Sequence, residues 1–143
     1  MWDKIQACKL LSIPYRVINM DKYIGGYTAI GDRFIHINES MQDDDRVWIH
    51  ELAHAVLHFK QFSTAAGLGD KTANAHAELE ADTVAYVVTT TLGLENKDYI
   101  RYIRSFMHNI PIREIYGTIL NEADWNKIKQ TALLILQAGG YYD

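Results

Sequence analysis

The chain has 143 residues, of which 48% are hydrophobic and 22% charged, and its formal net charge at pH 7 is −4. This length and apolar content predict one domain spanning residues 1–143, and the acidic balance gives no general attraction to nucleic acid. The single cysteine, Cys8, excludes an internal disulfide and is expected to be a small buried hydrophobe. The sequence has neither a signal-peptide pattern nor an apolar run of about 18 residues, which predicts a cytoplasmic protein without a membrane partner.

The chain begins with signals for a helix and then a strand. Apolar residues at helical spacing over residues 2–12, followed by Pro14, predict a short amphipathic helix. The β-branched and aromatic residues of 15–20 predict a strand, and Gly25-Gly26 predicts a break after it.

Residues 27–38 predict a β-hairpin. Two strand-like runs, 27–30 and 33–38, flank the dipeptide Gly31-Asp32, which suits a two-residue turn. One of these strands is our candidate for a sheet edge along which an extended peptide pairs through its main chain. We interpret His36 as an ordinary half-buried strand histidine rather than a residue of a cleft.

The next predicted element is a helix that contains a zinc-binding pattern. Ser40-Met41-Gln42-Asp43 resembles a capping box, so we expect the helix to start there and to run to about Phe59. His50 and His54, four residues apart, would lie one turn above each other, so both imidazoles can bind one ion. Glu51 would stand beside that ion as a general base. This H-E-x-x-H spacing on a helix predicts Zn2+ as the cofactor.

The alternative interpretation of this helix is two core histidines with an incidental glutamate. Apart from its three histidines and Glu51, the stretch 47–59 is apolar, so the helix is expected to be buried nearly all round. Buried imidazoles and carboxylates need partners or a metal, and we therefore favour the metal. His58 has turned about 80° away from His50 on a straight helix, which favours a supporting role over direct ligation.

A catalytic zinc usually has three protein ligands, so a third is expected further along the chain. Residues 74–82 contain four candidates, His76, Glu78, Glu80 and Asp82. Glu78 and Asp82 share one helix face, whereas Glu80 points to roughly the opposite side. We assign Glu78 as the third ligand and Asp82 as the carboxylate that accepts the free ring N–H of a ligand histidine. Glu80 stays open as the alternative ligand.

The rest of the chain predicts one loop and several helices. Residues 60–74 mix small residues with two glycines and predict a mobile loop that covers the metal site. The helix with the third ligand is expected to end at a C-cap on Gly93. Further helices are predicted over 97–109, 112–120 and 122–137.

Together the motifs resemble the ImmA/IrrE group of small, gluzincin-like zinc metallopeptidases. The resemblance covers roughly residues 25–105 and is carried by His50 to His54 with Leu57-His58, by Glu78 to Val88, and by Leu92 to Leu94. Many members have a Leu-Leu-Met-Pro-like stretch where this chain has Val88-Thr89-Thr90-Thr91-Leu92. This departure makes the chain most similar to the ArdC/LtrC-like domains of mobile-element proteins.

The resemblance implies an α+β, zincin-like domain. In such a domain a short antiparallel or mixed sheet packs on the H-E-x-x-H helix and on a second metal-ligand helix, and the C-terminal part is helical. It also implies hydrolysis of a peptide bond by an enzyme with ligands His50, His54 and Glu78 and the catalytic residue Glu51. The implied substrate is a specific regulatory or defence-related protein in a phage or mobile-element setting.

Two other functions stay open from sequence. One is a zinc hydrolase that acts on a non-peptide bond, and the other is a zincin-fold binding or antirestriction-like protein that acts through partners. The presence of Glu51 argues against the binding protein, because a structural zinc needs no base. For either hydrolase an additional donor to the oxyanion is expected, and the candidates are Tyr86, His108 and Tyr116.

Overall fold

The computed structural model describes residues 1–28, 34–58, 71–107 and 122–142. These residues form an α+β fold with one small mixed sheet and a set of helices. The elements in chain order are α1 (Lys4–Leu10), β1 (Tyr15–Ile18), β2 (Gly26–Thr28), β3 (Ile35–Asn38), a 3-10 turn (Glu39–Met41), α2 (Asp45–His58), α3 (Lys71–Leu92), α4 (Lys97–Met107) and α5 (Glu122–Ala138). Among the described residues, no helix combines the length and apolar character needed to cross a lipid bilayer.

The sheet has β3 in the middle, with β1 parallel to it on one side and β2 antiparallel to it on the other. The register places Thr28 of β2 and Tyr15 of β1 on either side of Ile35. The predicted pairing of the two hairpin strands is therefore confirmed, and β3 begins at Ile35, after the predicted start of its strand. The predicted turn, Gly31-Asp32, lies outside the described residues.

Gly26 was predicted to be part of a break and is instead the first residue of β2. A Cβ at this position would lie 2.5 Å from the carbonyl oxygen of His36 and 3.1 Å from Cγ of Glu51. Only glycine lets β2 approach both β3 and α2 this closely. The glycine thus marks close backbone packing beside the predicted catalytic base.

The first helix and strand are shorter than predicted. α1 begins after Asp3, whose carboxylate accepts hydrogen bonds from the backbone N–H groups of Ile5 and Gln6. The helix ends at Leu10, and Ser12 adopts a left-handed conformation with φ 56°. β1 stops at residue 18, two residues before the predicted end. Cys8 is buried on α1, as expected.

The predicted capping box is wrong. Its first residue is Ser40, whereas α2 begins five residues later, at Asp45. The backbone N–H of Ser40 donates to the side chain of Asn38, and Ser40 itself lies in the 3-10 turn. The carboxylate of Asp44 accepts the backbone N–H of Arg46 and so caps the first turn of α2. Most residues of α2 from Trp48 onward are buried, which confirms the expected burial.

α3 starts inside the predicted loop. Residues 71–74 are helical, and the remainder of the predicted loop lies outside the described residues. The predicted C-cap is confirmed, since Gly93 has φ +74°. The N–H of Gly93 donates to the carbonyl of Thr90 and that of Leu94 to the carbonyl of Thr89, which is a Schellman motif.

The core forms where α2 and α3 pack side by side and α5 packs across both. Its buried side chains include Ile37, Leu52, Val84 and Ile135, one from each of β3, α2, α3 and α5. Burying each such side chain stabilises the fold by about 1.5–3 kcal/mol. α5 ends within one residue of its predicted end, whereas the predicted helix 112–120 lies outside the described residues.

Candidate metal centre

The packing of α2 against α3 brings two histidines and a glutamate together. Nε2 of His50 lies 3.3 Å from Oε2 of Glu78, and Nε2 of His54 lies 3.1 Å from Oε1 of the same carboxylate. One donor atom from each of the three residues falls within 4.8 Å of the other two. The predicted ligands therefore converge from two neighbouring helices on one point, which we call the metal position.

The geometry of these donors suits a zinc ion. Ligands bound tetrahedrally at about 2.0–2.1 Å from zinc lie about 3.3 Å from one another. Nε2 of His50 is buried and has no hydrogen-bond partner. Carboxylate oxygens of Glu78 and Asp82 lie 3.3 and 3.0 Å from it, yet neither is in line for a hydrogen bond. The three donors lie close enough together to hold one metal ion between them.

The charges around His50 also favour a cation. Burial lowers the pKa of His50, but the carboxylates of Asp82, Glu51 and Glu78 outweigh burial and raise this pKa well above its usual value. Burial raises the pKa of Glu78, but the imidazoles of His50 and His54 outweigh it and hold this pKa well below its usual range. The site thus needs positive charge, from protons on the rings or from a metal. A divalent ion supplies that charge and leaves both imidazoles neutral.

Glu51 is held beside the two ligands by a residue of the sheet. The hydroxyl of Thr28 in β2 donates to Oε1 of Glu51 over 2.8 Å, and Nδ1 of His50 lies 3.1 Å from Oε2. The side chain of Glu51 is only 6% exposed, so these contacts set its orientation. Sequence reasoning missed Thr28, since its only signal was a polar residue on a predicted edge strand.

Asp82 lies on a different side of His50 from the one predicted. Its Oδ1 is 3.0 Å from Nε2, the nitrogen that faces the metal position, whereas the outward Nδ1 faces Glu51. Asp82 is buried and adds negative charge next to the three donors. It is therefore placed to interact with an ion or its water, rather than with the free ring N–H.

Glu80, the alternative third ligand, points away from the metal position. Its two oxygens lie 3.4 Å from Nε2 of His58 and 3.5 Å from Nζ of Lys127 on α5. Nδ1 of His58 lies 3.1 Å from the outward Nδ1 of His54, and burial lowers the pKa of His58. Of the two candidates, Glu78 alone joins the histidine pair.

A cavity of about 530 Å³ lies beside the metal position. Its walls come from the start of β2 with the segment before it, from α2, from Glu78 and Asp82 of α3, and from the start of α4. Tyr99 of α4 lines this cavity, and its hydroxyl donates to the carbonyl of Arg46 over 3.1 Å. Burial raises the pKa of Tyr99 to about 12.

Among the predicted oxyanion donors, only Tyr86 lies in the described part of the chain. Tyr86 does not line this cavity, and His108 and Tyr116 lie outside the described residues. His36 is half-buried and stacks on Tyr27, with ring centroids 4.3 Å apart, in agreement with its interpretation as a strand histidine.

No family model, curated protein or solved structure matches the chain. The resemblance to ImmA/IrrE metallopeptidases thus stays a prediction from the motifs. The side chains of the candidate metal centre and the cavity beside it are the features that bear on function.

Proposed function

We propose that the chain is a zinc-dependent metallopeptidase with a zincin-like fold. The observation that carries this proposal is the set of three donor atoms within 4.8 Å of one another, next to a buried glutamate and an open cavity. His50, His54 and Glu78 are the proposed zinc ligands, and Glu51 is the proposed catalytic base.

Bound zinc supplies a Lewis acid that lowers the pKa of a water molecule and polarises the scissile carbonyl. Glu51 accepts the proton of the attacking water and later delivers it to the leaving amine. The hydroxyl of Thr28 occupies one lone pair of Oε1, and the other lone pairs of the carboxylate remain able to accept that proton. Nδ1 of His50 holds the second oxygen of Glu51 beside the ring of this ligand.

The sheet edge beside the cavity supports a peptide as the substrate. In the described part of the sheet, β2 pairs with β3 alone, so none of the described strands occupies its other edge. An extended peptide on that edge gains main-chain hydrogen bonds and lies alongside the cavity that His50 and Glu51 line. The resemblance suggests a specific regulatory or defence-related protein, in a phage or mobile-element setting and in the cytoplasm.

The test compares zinc content and cleavage in wild type and Glu51→Gln. Both proteins should carry zinc, measured by elemental mass spectrometry after purification without added metal. Wild type should cleave members of a peptide library made from a digested proteome, whereas Glu51→Gln should be slower by about 10²–10⁴-fold, because the general base is lost. Glu39→Gln, on an exposed residue of the 3-10 turn, is the matched control and should cleave normally.

Two results would contradict the proposal. Absence of bound zinc from the wild-type protein would rule out the proposed metal centre. Zinc-loaded Glu51→Gln with full biological activity would instead favour the binding protein that acts through partners.

A further inference from the structure

A line of four polar side chains runs from the metal position to the surface of α5. Nδ1 of His54 lies 3.1 Å from Nδ1 of His58, and Nε2 of His58 lies 3.4 Å from Oε1 of Glu80. Oε2 of Glu80 lies 3.5 Å from Nζ of Lys127, whose side chain is 37% exposed. We call His54, His58, Glu80 and Lys127 the orienting chain. It connects three helices that are distant in sequence.

Metal binding through Nε2 of His54 would set the positions of the protons in the orienting chain. A neutral imidazole that binds through Nε2 carries its hydrogen on Nδ1. His54 therefore donates to Nδ1 of His58, which must accept and so carries its own hydrogen on Nε2. That hydrogen points to Oε1 of Glu80. Each ring has one donor and one acceptor, and both match their neighbours.

Packing alone does not explain why polar side chains of the orienting chain are buried. His58 is 6% exposed and Glu80 is 4% exposed. Well-packed hydrophobic residues in place of a buried charged pair are often neutral or stabilising. A fold that only had to hold α2 against α3 would gain nothing from a carboxylate here. Orientation of a metal ligand gives Glu80 a purpose.

We propose that His58, Glu80 and Lys127 are positioning residues for the metal ligand His54. They hold its ring in the tautomer that presents Nε2 to the ion, and the negative charge of Glu80 makes that nitrogen a stronger donor. Lys127 balances the carboxylate, so α5 takes part in the metal centre although it carries none of the proposed ligands. This proposal rests on the proposed zinc site.

The first test is the zinc affinity of purified protein, measured by competition with a chromophoric chelator. Glu80→Gln should bind zinc about 10–100-fold more weakly than wild type. Lys127→Met should bind zinc about 2–5-fold more weakly than wild type, because its ion pair is partly exposed. Lys129→Met, on an exposed lysine of the same helix, is the matched control and should bind as wild type does. Lys127→Met also keeps the test open if Glu80→Gln fails to fold.

The second test reads the proton positions by imidazole ¹⁵N NMR on the zinc-loaded protein, with His58 identified by its absence in His58→Gln. We expect His54 protonated on Nδ1 and His58 on Nε2. A hydrogen on Nδ1 of His58 would contradict the proposed positioning role. Wild-type zinc affinity in both Glu80→Gln and Lys127→Met would also contradict it. Neither result would contradict the proposed zinc site. Absence of zinc binding in wild type would instead contradict the proposed function. The same competition experiment with the chelator detects this outcome.

Discussion

Thr28 is the residue through which the sheet acts on the proposed catalytic base. Its hydroxyl donates to Oε1 of Glu51 over 2.8 Å. A hydrogen bond to a charged group contributes about 1.5–3 kcal/mol, so we expect Thr28→Val to lower kcat by about 10–100-fold. Zinc should be retained, because Thr28 is not among the donors. The measurement is kcat on a peptide that wild type cleaves.

Thr28→Ser is the control for this substitution, because it keeps the hydroxyl and removes only a methyl group. It should restore most of the rate. Equal loss in Thr28→Ser, which keeps the hydroxyl, and in Thr28→Val, which keeps the methyl group, would mean that the hydroxyl alone does not account for the rate. An unchanged rate in Thr28→Val would mean that other contacts orient Glu51.

Residues of one helix could be predicted to meet, whereas residues joined only by tertiary structure could not. His50 and His54 share a helix face because of the helical repeat, and the sequence alone gave that relation. Thr28 meets Glu51 only because β2 pairs with β3 and both pack on α2. Lys127 meets Glu80 across 47 positions of the chain. Neither contact leaves a local pattern in the sequence.

Cys8 makes the stability of the fold depend on pH in the alkaline range. The thiol is 2% exposed, and burial raises its pKa from 9.0 to about 12. Below the lower value both folded and unfolded chains keep the proton, and between the two values only the unfolded chain releases it. The unfolded state then binds fewer protons, so the free energy of unfolding falls by about 1.4 kcal/mol per pH unit.

The check is urea unfolding of the metal-free protein at about pH 8 and at about pH 10, for wild type and for Cys8→Ala. Wild type should lose about 1.4 kcal/mol more than Cys8→Ala over this interval, since tyrosines and lysines titrate in both proteins. An identical loss in the two proteins would mean that the thiol is accessible in the folded state.

At the scale of elements, Gly93 ends the helix that supplies the third ligand. Its φ of +74° is strained for any residue with a Cβ, although a Cβ there would meet no atom within 4 Å. We expect Gly93→Ala to destabilise the fold by about 1–2 kcal/mol, from backbone strain without a steric clash. Thr91→Ala, on an exposed residue in the last turn of α3, should be neutral or slightly stabilising. Urea unfolding measures both, and equal stability of Gly93→Ala and wild type would contradict the strain.

Element types were predicted better than element ends. A glycine is a specific signal for a helix end of the Schellman type, and the predicted end of α3 at Gly93 is confirmed. Ser40 and Asp44 are both good helix caps, and the sequence could not decide between them. Asp44 is the cap because Asn38 binds the backbone of Ser40 in a separate turn. The small and polar residues 71–74 were predicted to belong to a loop, yet they form the first turn of α3.

At the scale of the whole molecule, the proposed zinc joins the two helices on which the core is built. α2 and α3 pack side by side, and the sheet and α5 pack against this pair. Separation of α2 from α3 would therefore open the core, and an ion bound to both opposes global unfolding rather than a local event. A ligand that binds only the folded state at 1,000 times its Kd stabilises by about 4 kcal/mol.

We therefore expect zinc to raise the Tm of the metal-free protein by about 8–16 °C, since each kcal/mol shifts Tm by about 2–4 °C in a chain of this size. Thermal unfolding followed by circular dichroism, with chelator and with excess zinc, measures the shift. The double variant His50→Ala/His54→Ala is the control and should show no shift, because two of the three proposed ligands are gone. A shift of equal size in the double variant would place the stabilising zinc elsewhere on the protein. No shift in wild type would mean that α2 and α3 are not joined by a metal ion at this position.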